Sequence, residues 1–185
     1  MMADFKKAFK KLMKLEFSSP KNALHKNKGE SDVTFMGIYR AAHPDLKLWG
    51  WIDNLMFIYG DIEAASEAAY NMEAVVDEVK KFYKEKFWDE AKLDSVKSQK
   101  IAEEIFIFGV NVGMKNAVRA AQKVVGVEAD GIVGPKTLKA LNEFDENLFD
   151  IVFDAKEAEY YAKLVEKRPS FKIFLKGWLN RAKIV

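Results

Sequence analysis

The chain contains no cysteine, which removes disulfides, thiolate zinc sites and a cysteine nucleophile together. Its two histidines, His25 and His43, are too few for a three-histidine metal site and make a Ser-His-Asp triad a poor fit. Any catalysis therefore falls to carboxylates. No apolar run approaches the ~20 residues needed to cross a bilayer. The first residues lack the apolar segment of a signal peptide, so the chain is expected to be made in the cytoplasm. What is present is ample for folding: of 185 residues, 49% are hydrophobic and 31% charged. That composition suits one compact domain, or a core with a small appended module.

The net charge of +2 hides an uneven distribution. Residues 1–30 carry eight lysines against Asp4, Glu16 and Glu30, and residues 156–185 carry eight basic against three acidic residues. Residues 61–90 hold nine acidic against four basic. Two basic ends around an acidic middle favour an anionic polymer or surface as partner, although solvated helix faces produce the same counts.

Phe5, Ala8, Phe9, Leu12 and Met13 recur at helical spacing between lysines, predicting an amphipathic helix over 4–17. Its apolar stripe serves either a core or an anionic lipid surface. Residues 18–34 read as a polar loop or small hairpin. Pro44 and Gly50 are expected to break two short helices, and residues 61–91 to form one long acidic helix with Ala64, Ala65, Ala68, Ala69, Met72, Val75, Val76 and Val79 on its apolar side. Gly109 and Gly113 mark a break or close packing near Asn111 in the next helical stretch. The protein is expected to be mainly α.

The most ordered motif lies in the C-terminal half. Between Gln122 and Leu138 a helix ends at Gly126, Asp130-Gly131 forms a turn requiring positive φ, and Gly134-Pro135 opens the next helix. This run of Gln, Val-Gly and Asp-Gly-x-x-Gly-Pro-x-Thr resembles peptidoglycan-binding modules. Leu15-Glu16, a polar loop with Gly29, and Thr34-Phe35-Met36-Gly37-Ile38 resemble the Glu-Gly-Gly … Gly-Gly-x-Thr-x-x-Gly-Ile pattern of glycoside hydrolase family 108, the N-acetylmuramidases and phage endolysins. Val110-Asn111-x-Gly113 and the tail around Trp178 are similar to the same family's C-terminal part. Two departures stand out. Phe17 and Ser18 replace the glycines after the glutamate, and the Asp-Pro-Gly-Gly element is reduced to Gly29 with Glu30 and Asp32 nearby.

The resemblance implies a lysozyme-like helical fold with a catalytic region over 1–96 and a peptidoglycan-binding-type module over 97–185 packed against it. It implies hydrolysis of the bond between N-acetylmuramic acid and N-acetylglucosamine, with Glu16 as general acid. From the residues alone, Glu16 is first an ordinary surface partner of a lysine, as glutamates at helix ends commonly are, and otherwise a helix-end carboxyl facing a cleft. Glycosidic hydrolysis needs a second group, for which Asp32 and Glu30 are candidates. Thr34 would bond Glu16 or a sugar, or else cap a helix. Tyr39, Trp49 and Trp51 are candidate sugar-stacking rings, with core packing the expected role of at least two of the three. Asn111 offers an amide to an N-acetyl group or bonds its own backbone, and His25 reads as exposed. No metal or organic cofactor is implied. Peptidoglycan strands are the expected partner, with no nucleic acid, no stable membrane insertion and a monomeric state. Action on the wall after release from the cytoplasm follows. The alternative is a non-catalytic peptidoglycan-binding or secretion-linked protein.

Overall fold

The computed structural model describes residues 2–27 and 29–182, which form nine α-helices and one three-stranded antiparallel sheet. The mainly α, lysozyme-like expectation holds. Packing divides the chain into two units, one of Phe9–Lys84 and one combining Met1–Ala8 with Glu85–Val185. The units thus follow packing, whereas the 1–96 and 97–185 division expected from sequence follows motifs.

Most of α1 (Phe5–Glu16) belongs to the unit Phe9–Lys84. Ala8, Phe9 and Leu12 are buried, so the stripe between the lysines is core and not lipid-facing. The loop that follows folds into β1 (Leu24–His25), β2 (Thr34–Phe35) and β3 (Ile38–Tyr39). Pairing runs Leu24 with Phe35 and Phe35 with Ile38, leaving Met36-Gly37 as a two-residue hairpin turn. Both turn residues have positive φ, 48° and 84°, the geometry that matches the right-handed twist of flanking strands. Ser66 fastens the loop from below. Its hydroxyl donates to the Pro20 carbonyl and accepts from the Leu24 amide.

Two expectations are corrected in the helices that follow. Gly50 lies inside α2 (Leu48–Tyr59) and does not break it; the helix stops at Gly60, φ 62°. A lone helical glycine costs only ~1 kcal/mol, and burial of Leu48, Trp49 and Ile52 holds the segment. The long acidic helix is instead two, α3 (Ile62–Asn71) and α4 (Glu73–Tyr83), separated by an extended Met72. The buried sets Ala65, Ser66, Ala69 and Val75, Val79, Phe82, Tyr83 would lie roughly a quarter turn out of phase on one straight helix. Met72 resets the phase so that both stripes face inward.

In the other unit, Phe5 meets Trp88 and Phe106 edge-on at ring distances of 5.6 and 5.9 Å. A π-helical turn (Lys84–Trp88) precedes α5 (Gln99–Val112), whose residues 101–109 are all buried. Both readings of the glycine pair hold: Gly113 ends α5, while a Cβ on Gly109 would stand 2.5 Å from Met114 Cε. Then come α6 (Met114–Val124), α7 (Pro135–Glu143), α8 (Glu146–Lys167) and α9 (Lys172–Ala182). Among the described residues no helix is long and apolar enough to cross a membrane.

Candidate active site

Glu16 is the last residue of α1 and half-buried. Its carboxylate lies against the hairpin turn. An added Cβ on Gly37 would stand 2.7 Å from Glu16 Oε2 and 2.5 Å from the Tyr83 hydroxyl oxygen, so a larger residue there would force the carboxylate, the hydroxyl or the turn to move. Tyr83, buried on α4, donates its hydroxyl to the Met36 carbonyl at 2.9 Å, and the Met36 amide donates to the Ala23 carbonyl at 2.8 Å. Met36, 2% exposed, is thereby held in a left-handed conformation that a non-glycine residue adopts only when its surroundings dictate it. The Thr-x-x-Gly-Ile motif is therefore a device for bringing bare backbone against a carboxylate.

An open cleft adjoins Glu16, lined by residues 14–18 with Asn22 and His25. Phe17, where the resembled pattern has glycine, turns its ring edge-on to Tyr70 of α3 at 5.8 Å. His25 is half-buried on β1, opposite Thr34 in the sheet, and is a cleft residue where the sequence suggested an exposed one. The pairing of β1 with β2 that places it there has no local signal in two-residue strands.

The loop carrying the other carboxylates is pinned by side chains. Glu30 accepts from Asn27 Nδ2 at 3.0 Å and from Thr34 Oγ1 at 3.3 Å. Thr34 is thus a buried strand residue, correcting the helix-cap alternative, and its hydroxyl goes to Glu30. Tyr39 lays its hydroxyl on Ser31, 2.8 Å from Ser31 Oγ, and Lys26 donates to the Ser31 carbonyl at 3.0 Å. Asp32 accepts from the Val33 amide at 2.8 Å, and its other oxygen lies 3.8 Å from Arg40 Nε. The Arg40 guanidinium is already committed to Asp53 in a two-point pair at 2.6 and 2.8 Å. The Asp53 bond, together with the charges of Asp53 and Asp32, raises its pKa against the opposing effect of burial.

The rings separate. Trp49 is 2% exposed, donates Nε1 to the His43 carbonyl at 2.7 Å and lies 5.7 Å from the Arg40 guanidinium; it is a core residue with no face for a sugar. Trp51 is half-buried on α2. Asn111 belongs to the other unit and donates Nδ2 to the Tyr161 hydroxyl at 2.6 Å, a cross-helix bond in place of the bond to its own backbone.

The C-terminal motif proves to be one hydrogen-bonded knot. Gln122, 1% exposed, donates Nε2 to Asp130 Oδ1, the Ile132 carbonyl and Thr137 Oγ1, and accepts from the Gly131 amide. The Gln122 bond, then that from the Ile132 amide, holds the Asp130 carboxyl below its usual pKa. Gly131, φ 83°, is the residue the turn requires. These motif residues build the loop.

Comparison with known families matches residues 23–113 to glycosyl hydrolase 108 and residues 116–183 to a predicted peptidoglycan domain. Glu16 precedes the first matched span. The solved structure of Brucella abortus SagA is similar over 96% of this chain and 88% of that one, at 22% identity and a TM-score of 0.65, a likeness of fold. No curated protein matches.

Proposed function

We propose, from the premise that the chain belongs to glycoside hydrolase family 108 and carries a peptidoglycan domain, that Glu16 is the general acid of its reaction. The protein is a peptidoglycan-degrading muramidase, cleaving the β-1,4 bond between N-acetylmuramic acid and N-acetylglucosamine. The observation that carries the role of Glu16 is its carboxylate, fixed between the Gly37 backbone and the open cleft. A glycan strand in that cleft would present its bridging oxygen to Glu16. Transfer of the proton lets the C1–O bond break, and the positive charge developing at the sugar ring is met by a second carboxylate or by attacking water.

Asp32 suits that second role better than Glu30. Among the described residues its second oxygen has the 3.8 Å approach of Arg40 as its one polar contact, whereas Glu30 is spent on Asn27 and Thr34. Glu30, Thr34 and Tyr39 act as positioning residues that keep the 29–33 loop in place without the glycines of the resembled pattern. The substrate's location makes the bacterial wall the site of action.

The test is clearing of purified walls by Glu16→Gln, Asp32→Asn and Glu30→Gln. Glu16→Gln should melt like the parent and lose ~10²-fold or more in rate, the typical worth of general acid catalysis. Asp32→Asn should lose more than Glu30→Gln. Residual activity of Glu16→Gln within about threefold of the parent would remove it from the chemistry.

A further inference from the structure

We propose that Glu104 on α5 and Asp150 and Asp154 on α8 form a site for one hard divalent cation, of the Ca²⁺ or Mg²⁺ class, in the unit that carries the peptidoglycan-domain match. One carboxylate oxygen from each residue lies within 4.8 Å of the others. That spread is what oxygens disposed around a Ca²⁺ ion at ~2.4 Å can reach. Asp150 and Asp154, four apart on one helix, share the face turned to α5.

Proximity of acids alone is a weak sign, but Glu104 supplies a second one. It is 0% exposed, and neither of its oxygens finds a hydrogen-bond donor among the described residues. A buried carboxylate without donors is costly unless a proton or a cation neutralises it. Glu157, 3% exposed, adds a fourth carboxylate, against which stand Lys100, 2.9 Å from Asp150 Oδ2, and Arg181, whose charge acts on Glu157. Glu104 accepts a hydrogen bond from neither base, so either a proton or a divalent ion held together with Asp150 and Asp154 neutralises it. The ligand set contains only carboxylates, which selects hard cations over zinc or copper. Asp150 is 27% exposed on its side chain, giving the ion a path in and room for waters to complete its shell. The function is structural: the ion would tie α5 to α8. The inference is independent of the role of Glu16.

The full chain, stripped with EDTA and dialysed, is melted at pH 7.5 with Ca²⁺, Mg²⁺ or Mn²⁺, and Mn²⁺ binding is read directly by loss of its free-ion EPR signal. The expected result is a saturable rise in melting temperature, about 5–10 °C at ~100-fold excess over Kd, with one Mn²⁺ bound per chain. Glu104→Gln keeps the shape of the protonated carboxyl and so folds; it and Asp154→Asn should erase both signals, while Glu159→Gln on the exposed face of α8 keeps them. No shift and no Mn²⁺ uptake by the parent, or equal uptake by Glu104→Gln, would overturn the site and leave a shared proton as the neutralising species.

Discussion

Replacing Gly37 by alanine tests the link between the hairpin turn and the acid in one step. The substitution adds a single methyl group, yet two effects follow. Gly37 has φ 84°, and a residue with a Cβ in that region costs roughly 1–2 kcal/mol. The new Cβ would also stand 2.7 Å from Glu16 Oε2 and 2.5 Å from the Tyr83 hydroxyl, about 1 Å inside ordinary contact. Either the carboxylate or the turn must move. At ~2–4 °C per kcal/mol for a chain of this size, backbone strain alone should lower the melting temperature by about 2–8 °C. A displacement of ~1 Å at a reacting group typically costs ~10²-fold. Gly60→Ala is the control: its φ is 62°, but nothing lies within 4 Å of the added atom. It should lose similar stability and keep its rate. The assay is calorimetric melting paired with turbidimetric clearing of purified walls. A Gly37→Ala protein as active as Gly60→Ala would refute the placement of Glu16 against bare backbone.

Leu12→Ala, at a position 0% exposed, should cost about 2–5 kcal/mol, seen as a lower denaturation midpoint; an unchanged midpoint would return the helix to the lipid-facing reading. Gln122→Met keeps the shape but strands the Gly131 amide and the Asp130 carboxyl, so chemical denaturation should show a loss of about 1–3 kcal/mol. The pH profile has a definite sign. Burial first, then the charge of Glu157 and the closeness of Asp150, push Glu104 up to about 10, and burial and Asp154 push Glu157 to about 8. Acids with folded pKa values above their unfolded ones give stability that is complete below the unfolded value, near pH 4.5, and lost as pH rises through the folded ones. In EDTA, melting temperature should therefore fall from pH 5 towards pH 9, and Glu104→Gln should flatten that slope.

The parts legible in sequence were those set by local chemistry. Helix spacing in 5–16, the Asp130-Gly131 turn and the Gly134-Pro135 start each depend on residues close in the chain, and each is where expected. The acidic helix was misread because alanines, valines and glutamates favour helix on either side of Met72, and only tertiary burial reveals that their stripes are out of phase. Glu16 was legible as a helix end, but its environment was not. Gly37, Tyr83 and His25 reach it from a hairpin and from α4, through two-residue strands with too few residues to show alternation. Residue type leaves Trp49 open between a sugar-stacking and a core ring, and Asn111 between a ligand amide and one bonded to its own backbone. The bonds that decide, to the His43 carbonyl and to the distant Tyr161 hydroxyl, are facts of folding that no spacing encodes. Glu104 lay unnoticed in an apolar helix, where a buried carboxylate looks in sequence like any other glutamate.

The most direct test is mass spectrometry of the fragments released from purified peptidoglycan by the parent chain and by Glu16→Gln at equal concentration. The account predicts that the parent yields muropeptides ending in reducing N-acetylmuramic acid, and that the variant, folded to the same melting temperature, yields about a hundredth as much or less. Anhydro ends, free peptides, or the same reducing ends at undiminished rate from Glu16→Gln would contradict it.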